Sequence, residues 1–211
     1  MTINHKALNQ IEKNLEAYPN TKLLIVTKNQ SYKDIDDLIS RGYRLFGENR
    51  VQEAQKKYSN FNDRQYELHL IGPLQTNKVK IALELFDTIQ SLDRLKLIHE
   101  IVNQIKYKPN FFRTKSFYIQ INIGQENQKS GVDPNQVFEF YNLCKENNLK
   151  IEGFMCIPPN YKKPEMYFDK MKKIRDKINE NLKLSMGMSS DYEISLNYDS
   201  NIVRIGSKIF S

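Results

Sequence analysis

The sequence predicts an α/β fold, a single (β/α)8 barrel over residues 1–211 with an additional covering helix at its N-terminus. Three observations carry this expectation. Short apolar runs alternate with amphipathic stripes of helical spacing until eight strands can be counted. No linker, low-complexity tract or shift in composition interrupts the alternation, so one repeating βαβ plan accounts for the chain. The glycine-rich fingerprint of a doubly wound dinucleotide-binding sheet, the competing architecture, is absent. At 211 residues the chain is short for a barrel, a fold that commonly takes about 250 residues.

Residues 4–17 set Leu8, Ile11 and Leu15 on one side of a helix and polar residues on the other. The first strand, 22–27, is a continuous apolar run, as expected of a parallel strand covered on both faces. Ser31, three residues before Asp34, is a capping signal for a helix carrying Ile35, Leu38 and Ile39, and Gly42 stops it. A strand over 43–46 and a helix through Val51, Ala54 and Tyr58 repeat the unit. A strand over 67–71 precedes a helix through Val79, Ala82 and Leu85, and a strand over 87–91 precedes one through Leu95, Ile98, Ile101, Val102 and Ile105. The strand at 116–123 is the longest, and Asp133 with Pro134 predicts a capped start for the helix of Val137, Phe140, Tyr141 and Cys144. The strand at 150–157 ends at Pro158, and Tyr167, Met171, Ile174 and Ile178 mark the next helix. Strands over 182–186 and 202–205 flank a short helix with Tyr192, Ile194 and Leu196.

Composition excludes several classes of function. The net charge is +7, but the basic residues fall in pairs such as Lys56–Lys57 and Lys172–Lys173 among acids, the pattern of a solvated surface, so no nucleic-acid partner is expected. Cys144 and Cys156 have no zinc-like spacing and read as small apolar residues of a reduced intracellular protein, with no metal site. The first ten residues lack the apolar stretch of a signal peptide, and no segment is long enough to cross a bilayer; a cytoplasmic location without membrane contact is expected.

In a barrel, alternate side chains face the interior, and functional groups gather at the carboxyl ends of the strands. Lys28 continues the parity of Leu24 and Val26, Asn49 that of Leu45 and Gly47, and Gly206 that of Ile202 and Arg204. Burial at a strand end would favour the free amine of Lys28, the nucleophile that Schiff-base chemistry requires. Taken alone, the stretch reads more simply as the start of a solvent-facing loop. Val203 and Ile205 suit the helix layer, which turns Arg204 inward, and a buried guanidinium needs an acceptor. Ser189, at an expected helix start after Met188, and Ser207, after Gly206, bring hydroxyls to the loops after the last two strands. Those loops are a frequent phosphate site, although each serine alone reads as an ordinary cap or turn residue. His69, on the third strand, is a secondary candidate.

Six blocks in order, Ile25–Lys28 (IVTK), Phe46–Glu53 (FGENRVQE), His69–Lys78 (HLIGPLQTNK), Lys129–Gly131 (KSG), Leu184–Ser189 (LSMGMS) and Val203–Ser207 (VRIGS), resemble the pyridoxal phosphate homeostasis protein family. That family comprises single-domain relatives of the alanine racemase N-terminal barrel. The resemblance implies that Lys28 carries pyridoxal 5'-phosphate as an aldimine and that Asn49 lies beside it. It also implies that Arg204 faces the pyridine nitrogen and that Met188, Ser189, Gly206 and Ser207 hold the phosphate. Ser207 stands where the family commonly has Thr, and the short segment after the last strand would loosen the closure of the barrel. A monomer is expected, buffering the cofactor or delivering it to apo-enzymes without efficient turnover; an active pyridoxal phosphate-dependent racemase is the alternative.

Overall fold

The computed structural model, which describes residues 3–58, 65–159 and 163–210, is a closed barrel of eight parallel strands in chain order. The strands are β1 (Lys22–Val26), β2 (Leu45–Glu48), β3 (Glu67–Leu70), β4 (Thr88–Leu92), β5 (Ser116–Ile121), β6 (Ile151–Cys156), β7 (Lys183–Met188) and β8 (Ile202–Ile205). Helix α1 (His5–Leu15) precedes β1. Helices α2 (Tyr32–Ser40), α3 (Val51–Tyr58), α4 (Val79–Leu85), α5 (Leu95–Tyr107), α6 (Val137–Glu146), α7 (Pro164–Ile178) and α8 (Tyr192–Leu196) separate successive strands. The (β/α)8 barrel with its N-terminal helix is thus the architecture that the alternation predicted.

Closure is complete. β1 and β8 pair in register from Lys22 opposite Ile202 to Ile25 opposite Ile205, so the short segment after β8 does not loosen the seam. That segment is itself tied to α1: the amide of Asn4 donates to the carbonyl of Ile209 at 2.7 Å, and Ile3 bridges Phe210. Asn4 also caps α1, its side chain accepting from Ala7, while Leu8 and Ile11 bury the apolar face. Asn14 then reaches α8, donating to the hydroxyl of Tyr192 at 2.9 Å.

The period of two sorts the strand side chains between two cores. Leu24, Val26, Ile71, Tyr118, Met155 and Ile202 fill the barrel interior. Ile25, Phe46, Leu68, Ile89, Ile119, Phe154, Val203 and Ile205 pack outward against the helices. Burial of both faces explains why β1 reads as an unbroken apolar run.

Most strand ends lie within two residues of expectation, β5 ending at Ile121 and not at 123, and at two boundaries local hydrogen bonds compete with a ladder or helix. β2 begins at Leu45 because Tyr43 is still bonded back to Leu38, and pairing with β3 starts at Leu45 opposite Glu67. Asp133 does not cap a helix at Pro134. Its carboxylate accepts from Asn135 and its carbonyl from Gln136, closing a turn, and α6 starts at Val137. β7 runs to Met188, and α8 starts only at Tyr192. The Ser31–Asp34 capping box, by contrast, forms as predicted.

Gly153 is required where β6 meets β7, since a Cβ there would lie 2.1 Å from the carbonyl oxygen of Lys183. Gly153→Ala is expected to destabilise the barrel by about 3 kcal/mol, read as a lower urea midpoint with unchanged slope. An unchanged midpoint would show that the two strands separate without cost.

Candidate functional site

The carboxyl ends of the strands surround a cavity of about 700 Å³. Lys28, Asn49, Met188, Ser189, Arg204, Gly206 and Ser207, which come from four strand ends, all line it. His69 does not reach it. That ring is buried in the interior, with Nε2 2.8 Å from Glu67 and Nδ1 2.7 Å from Gln90.

Lys28 follows β1 at the rim and is exposed, the solvent-facing arrangement that the stretch taken alone suggests and not the buried one. Its backbone, however, is held on both sides by α3. Lys57 Nζ donates to the carbonyl of Thr27 at 2.6 Å, and Glu53 Oε1 accepts from the amide of Asn29 at 2.5 Å. Lys57 bridges Glu53 at 2.9 Å and Glu48 at 2.6 Å, and Glu48 also accepts from the hydroxyl of Thr27 at 2.7 Å. An exposed side chain therefore stands on a peptide held by hydrogen bonds on both sides. Burial alone would raise the Glu53 carboxyl, but the Asn29 amide and the Lys57 ammonium bring it below its ordinary value. These three charged residues carry no role in the sequence reading; the signal was the FGENRVQE block, where Glu48 and Glu53 flank Asn49. Asn49 is seated by a close approach, since a Cβ on Gly72 would lie 2.2 Å from the Asn49 carbonyl oxygen.

Arg204 points inward and is 3 % exposed. It has the acceptors its charge requires: one terminal nitrogen donates to Ser185 Oγ at 2.8 Å and the other to the carbonyl of Cys156 at 2.7 Å. No carboxylate among the described residues forms an ion pair with it. Burial depresses its pKa, but a guanidinium keeps its proton. The thiol of Cys156 beneath it is pushed up to about 12 by burial and is inert.

The loops after β7 and β8 meet across the cavity, although Ser189 is not a helix cap. It lies in a turn in which Asp191 accepts from the amide of Met188 at 2.6 Å and donates its own amide back to Met188. With only five residues, α8 supplies no helix-end field to the site. Lys129, on the far wall and within the KSG stretch, pairs with Glu126 at 2.6 Å. Among the described residues the lining thus holds three cations, Lys28, Lys129 and Arg204, the hydroxyls of Ser130, Ser189, Ser190 and Ser207, and no carboxylate. Cations and hydroxyls suit a phosphate ester, and an amine at the rim suits an aldehyde, so this donor set fits a phosphorylated carbonyl compound.

Fold and site together define a barrel of the alanine racemase N-terminal domain type, and the model of that family matches residues 5–211. The chain is 38 % identical to the pyridoxal phosphate homeostasis protein of Aquifex aeolicus, over 90 % of this chain and 86 % of the relative. It is 35 % identical to that of Helicobacter pylori, over 96 % and 94 %. Among solved structures, PipY of Synechococcus elongatus with pyridoxal phosphate bound superimposes with a TM-score of 0.84 at 28 % identity, covering 98 % of this chain and 99 % of that one. Alanine racemase of Clostridium difficile, at 17 % identity and a TM-score of 0.79 over 96 % of this chain and 54 % of its own, shares the fold. The chain belongs to the pyridoxal phosphate homeostasis protein family.

The clamp under Lys28 can be tested by titration. Burial, opposed by Lys57 and Thr27, holds the Glu48 carboxyl above its ordinary 4.5. A carboxyl raised in the folded state stabilises most below its unfolded value and loses that contribution as pH rises through the folded one. Urea unfolding between about pH 4 and about pH 8 should therefore show Glu48→Gln gaining on the wild type as pH rises. Lys57→Met should cost about 3 kcal/mol and steepen the dependence, because the carboxylate loses its cation. Parallel pH profiles for all three proteins would refute this account.

Proposed function

We propose that the mouth cavity holds pyridoxal phosphate and that the protein buffers or delivers it without efficient turnover. The observation that carries the reading is the lining itself: two further cations, four hydroxyls and, among the described residues, no acid around an amine that solvent can reach. Lys28 is the group that joins the aldehyde in a Schiff base, with loss of water. Met188, Ser189, Gly206 and Ser207 hold the phosphate, Asn49 lies beside the ring, and Arg204 faces the pyridine nitrogen. PipY, similar over nearly its whole length, is a structure with pyridoxal phosphate bound, and the curated relatives carry the homeostasis name.

Bound to this family's fold, the cofactor supplies an electron sink whose strength depends on protonation of its ring nitrogen. Arg204, cationic at every ordinary pH, opposes that protonation from a fixed position, so carbanion chemistry is weak. Exposure of Lys28 serves release, because a free amine or the lysine of an apo-enzyme reaches the carbon it holds. A single chain supplies every residue assigned here, so one copy suffices to bind.

Borohydride reduction of protein loaded with pyridoxal phosphate, followed by peptide mapping, is expected to fix the label on Lys28. Lys28→Ala should lose the label while keeping a cooperative thermal transition. Loaded wild type should exchange no α-proton of alanine or other amino acids above the rate of free cofactor. A label elsewhere would overturn the attachment, and robust exchange that requires Lys28 would make the protein an enzyme of the racemase kind.

A further inference from the structure

Within an interior otherwise packed with Leu24, Val26, Ile71, Tyr118, Met155 and Ile202, a file of polar side chains crosses the barrel. Arg204 donates to Ser185 Oγ at 2.8 Å, and Ser185 donates to Gln90 Oε1 at 2.6 Å. Gln90 Nε2 is 2.7 Å from His69 Nδ1, and His69 Nε2 is 2.8 Å from Glu67 Oε1. Glu67 lines a second cavity, about 790 Å³, at the opposite end of the strands.

The placed atoms give one self-consistent set of donors and acceptors along the file. A guanidinium only donates, so the Ser185 oxygen accepts there and sends its single proton to Gln90. The amide oxygen of Gln90 is then occupied, and its nitrogen, a donor only, faces the imidazole. In that amide orientation Nδ1 of His69 accepts, and an Nε2 proton points at the Glu67 carboxylate. Ser185 and Gln90 are fully buried and His69 is 3 % exposed, so water does not readily replace any partner in the file.

We propose that Ser185, Gln90 and His69 are positioning residues for Arg204, holding its guanidinium in the plane in which it faces the cofactor's ring nitrogen and keeps that nitrogen unprotonated. The inference rests on the function proposed for the mouth cavity. Polar groups buried in line are costlier than apolar ones of the same size unless every member is satisfied, and here every junction is matched. Among the described residues no carboxylate pairs with Arg204 to set its angle. The Cys156 carbonyl is one point on which a guanidinium pivots; Ser185 is the second point that fixes the plane. Ser185 is fixed in turn by Gln90, and the amide orientation of Gln90 by the tautomer of His69.

The test titrates the visible absorbance of protein loaded with pyridoxal phosphate, after borohydride labelling has confirmed attachment. Ser185→Ala and Gln90→Leu are expected to keep the label on Lys28 and a cooperative melt. They should raise the midpoint of the chromophore titration by about one pH unit, the tenfold equivalent of one lost hydrogen bond, because a displaced cation no longer opposes protonation of the ring. His69→Gln, which retains an acceptor for Gln90 and a donor for Glu67, should titrate like the wild type. Ser185→Ala, which removes one oxygen, decides the matter if Gln90→Leu does not fold. Labelled, folded variants with the wild-type midpoint would overturn the proposal. A wild type that takes no label would instead overturn the function proposed for the mouth, and this inference with it.

Discussion

A cation sealed inside the barrel, with no carboxylate among the described residues in a direct ion pair with it, is the constraint that organises the upper half of this molecule. Arg204 is placed there by the pairing of β8 with β1 and by the alternation of side chains along β8, which leaves its neighbours Val203 and Ile205 in the helix layer. An unpaired charge at that depth is tolerable only where dipoles are turned toward it. The Cys156 carbonyl and the Ser185 hydroxyl meet that need, and Gln90 fixes the hydroxyl. Among the described residues no carboxylate lines the cavity wall, and with Lys129 paired to Glu126 it is Lys28 and Arg204 that leave a positive field suited to an anionic ligand.

The two nitrogen groups of the site are held by different means. Arg204 is gripped at its head, from below, by neutral groups in the interior. Lys28 is gripped at its backbone, from the helix layer, by the charged set of Glu48, Lys57 and Glu53, while its amine stays in solvent. That difference suits the roles proposed: a fixed cation imposes a constant electronic effect, whereas a lysine on a rigid rim reaches both a bound aldehyde and an incoming amine. Lys28 is exposed, unlike the buried amine that the apolar run of β1 also allowed.

The same barrel carries alanine racemase, and likeness at 17 % identity speaks for the fold alone. What distinguishes chemistries on this scaffold lies in a few side chains at strand ends and in what stands behind them. Here the supporting residues are as informative as the lining: the file from Arg204 to Glu67 gives each interior polar atom a defined partner, which packing alone would not demand.

Much of this was legible in the order of residues. Eight apolar runs with helical stripes between them specify a barrel because strands buried on both faces and helices buried on one leave distinct periodicities. Parity then assigned Lys28, Asn49 and Arg204 to the mouth, since a period of two follows from strand geometry alone. Other features required the folded chain. Whether Lys28 is buried, where α6 and α8 begin, and which groups receive the charge of Arg204 depend on contacts between residues far apart in the sequence. Ser185 meets Gln90 across 95 positions, and no local pattern encodes that meeting. A linear sequence determines which face a side chain takes and the element it belongs to; the partner it finds there is decided by closure of the barrel, which brings distant strands to hydrogen-bonding distance.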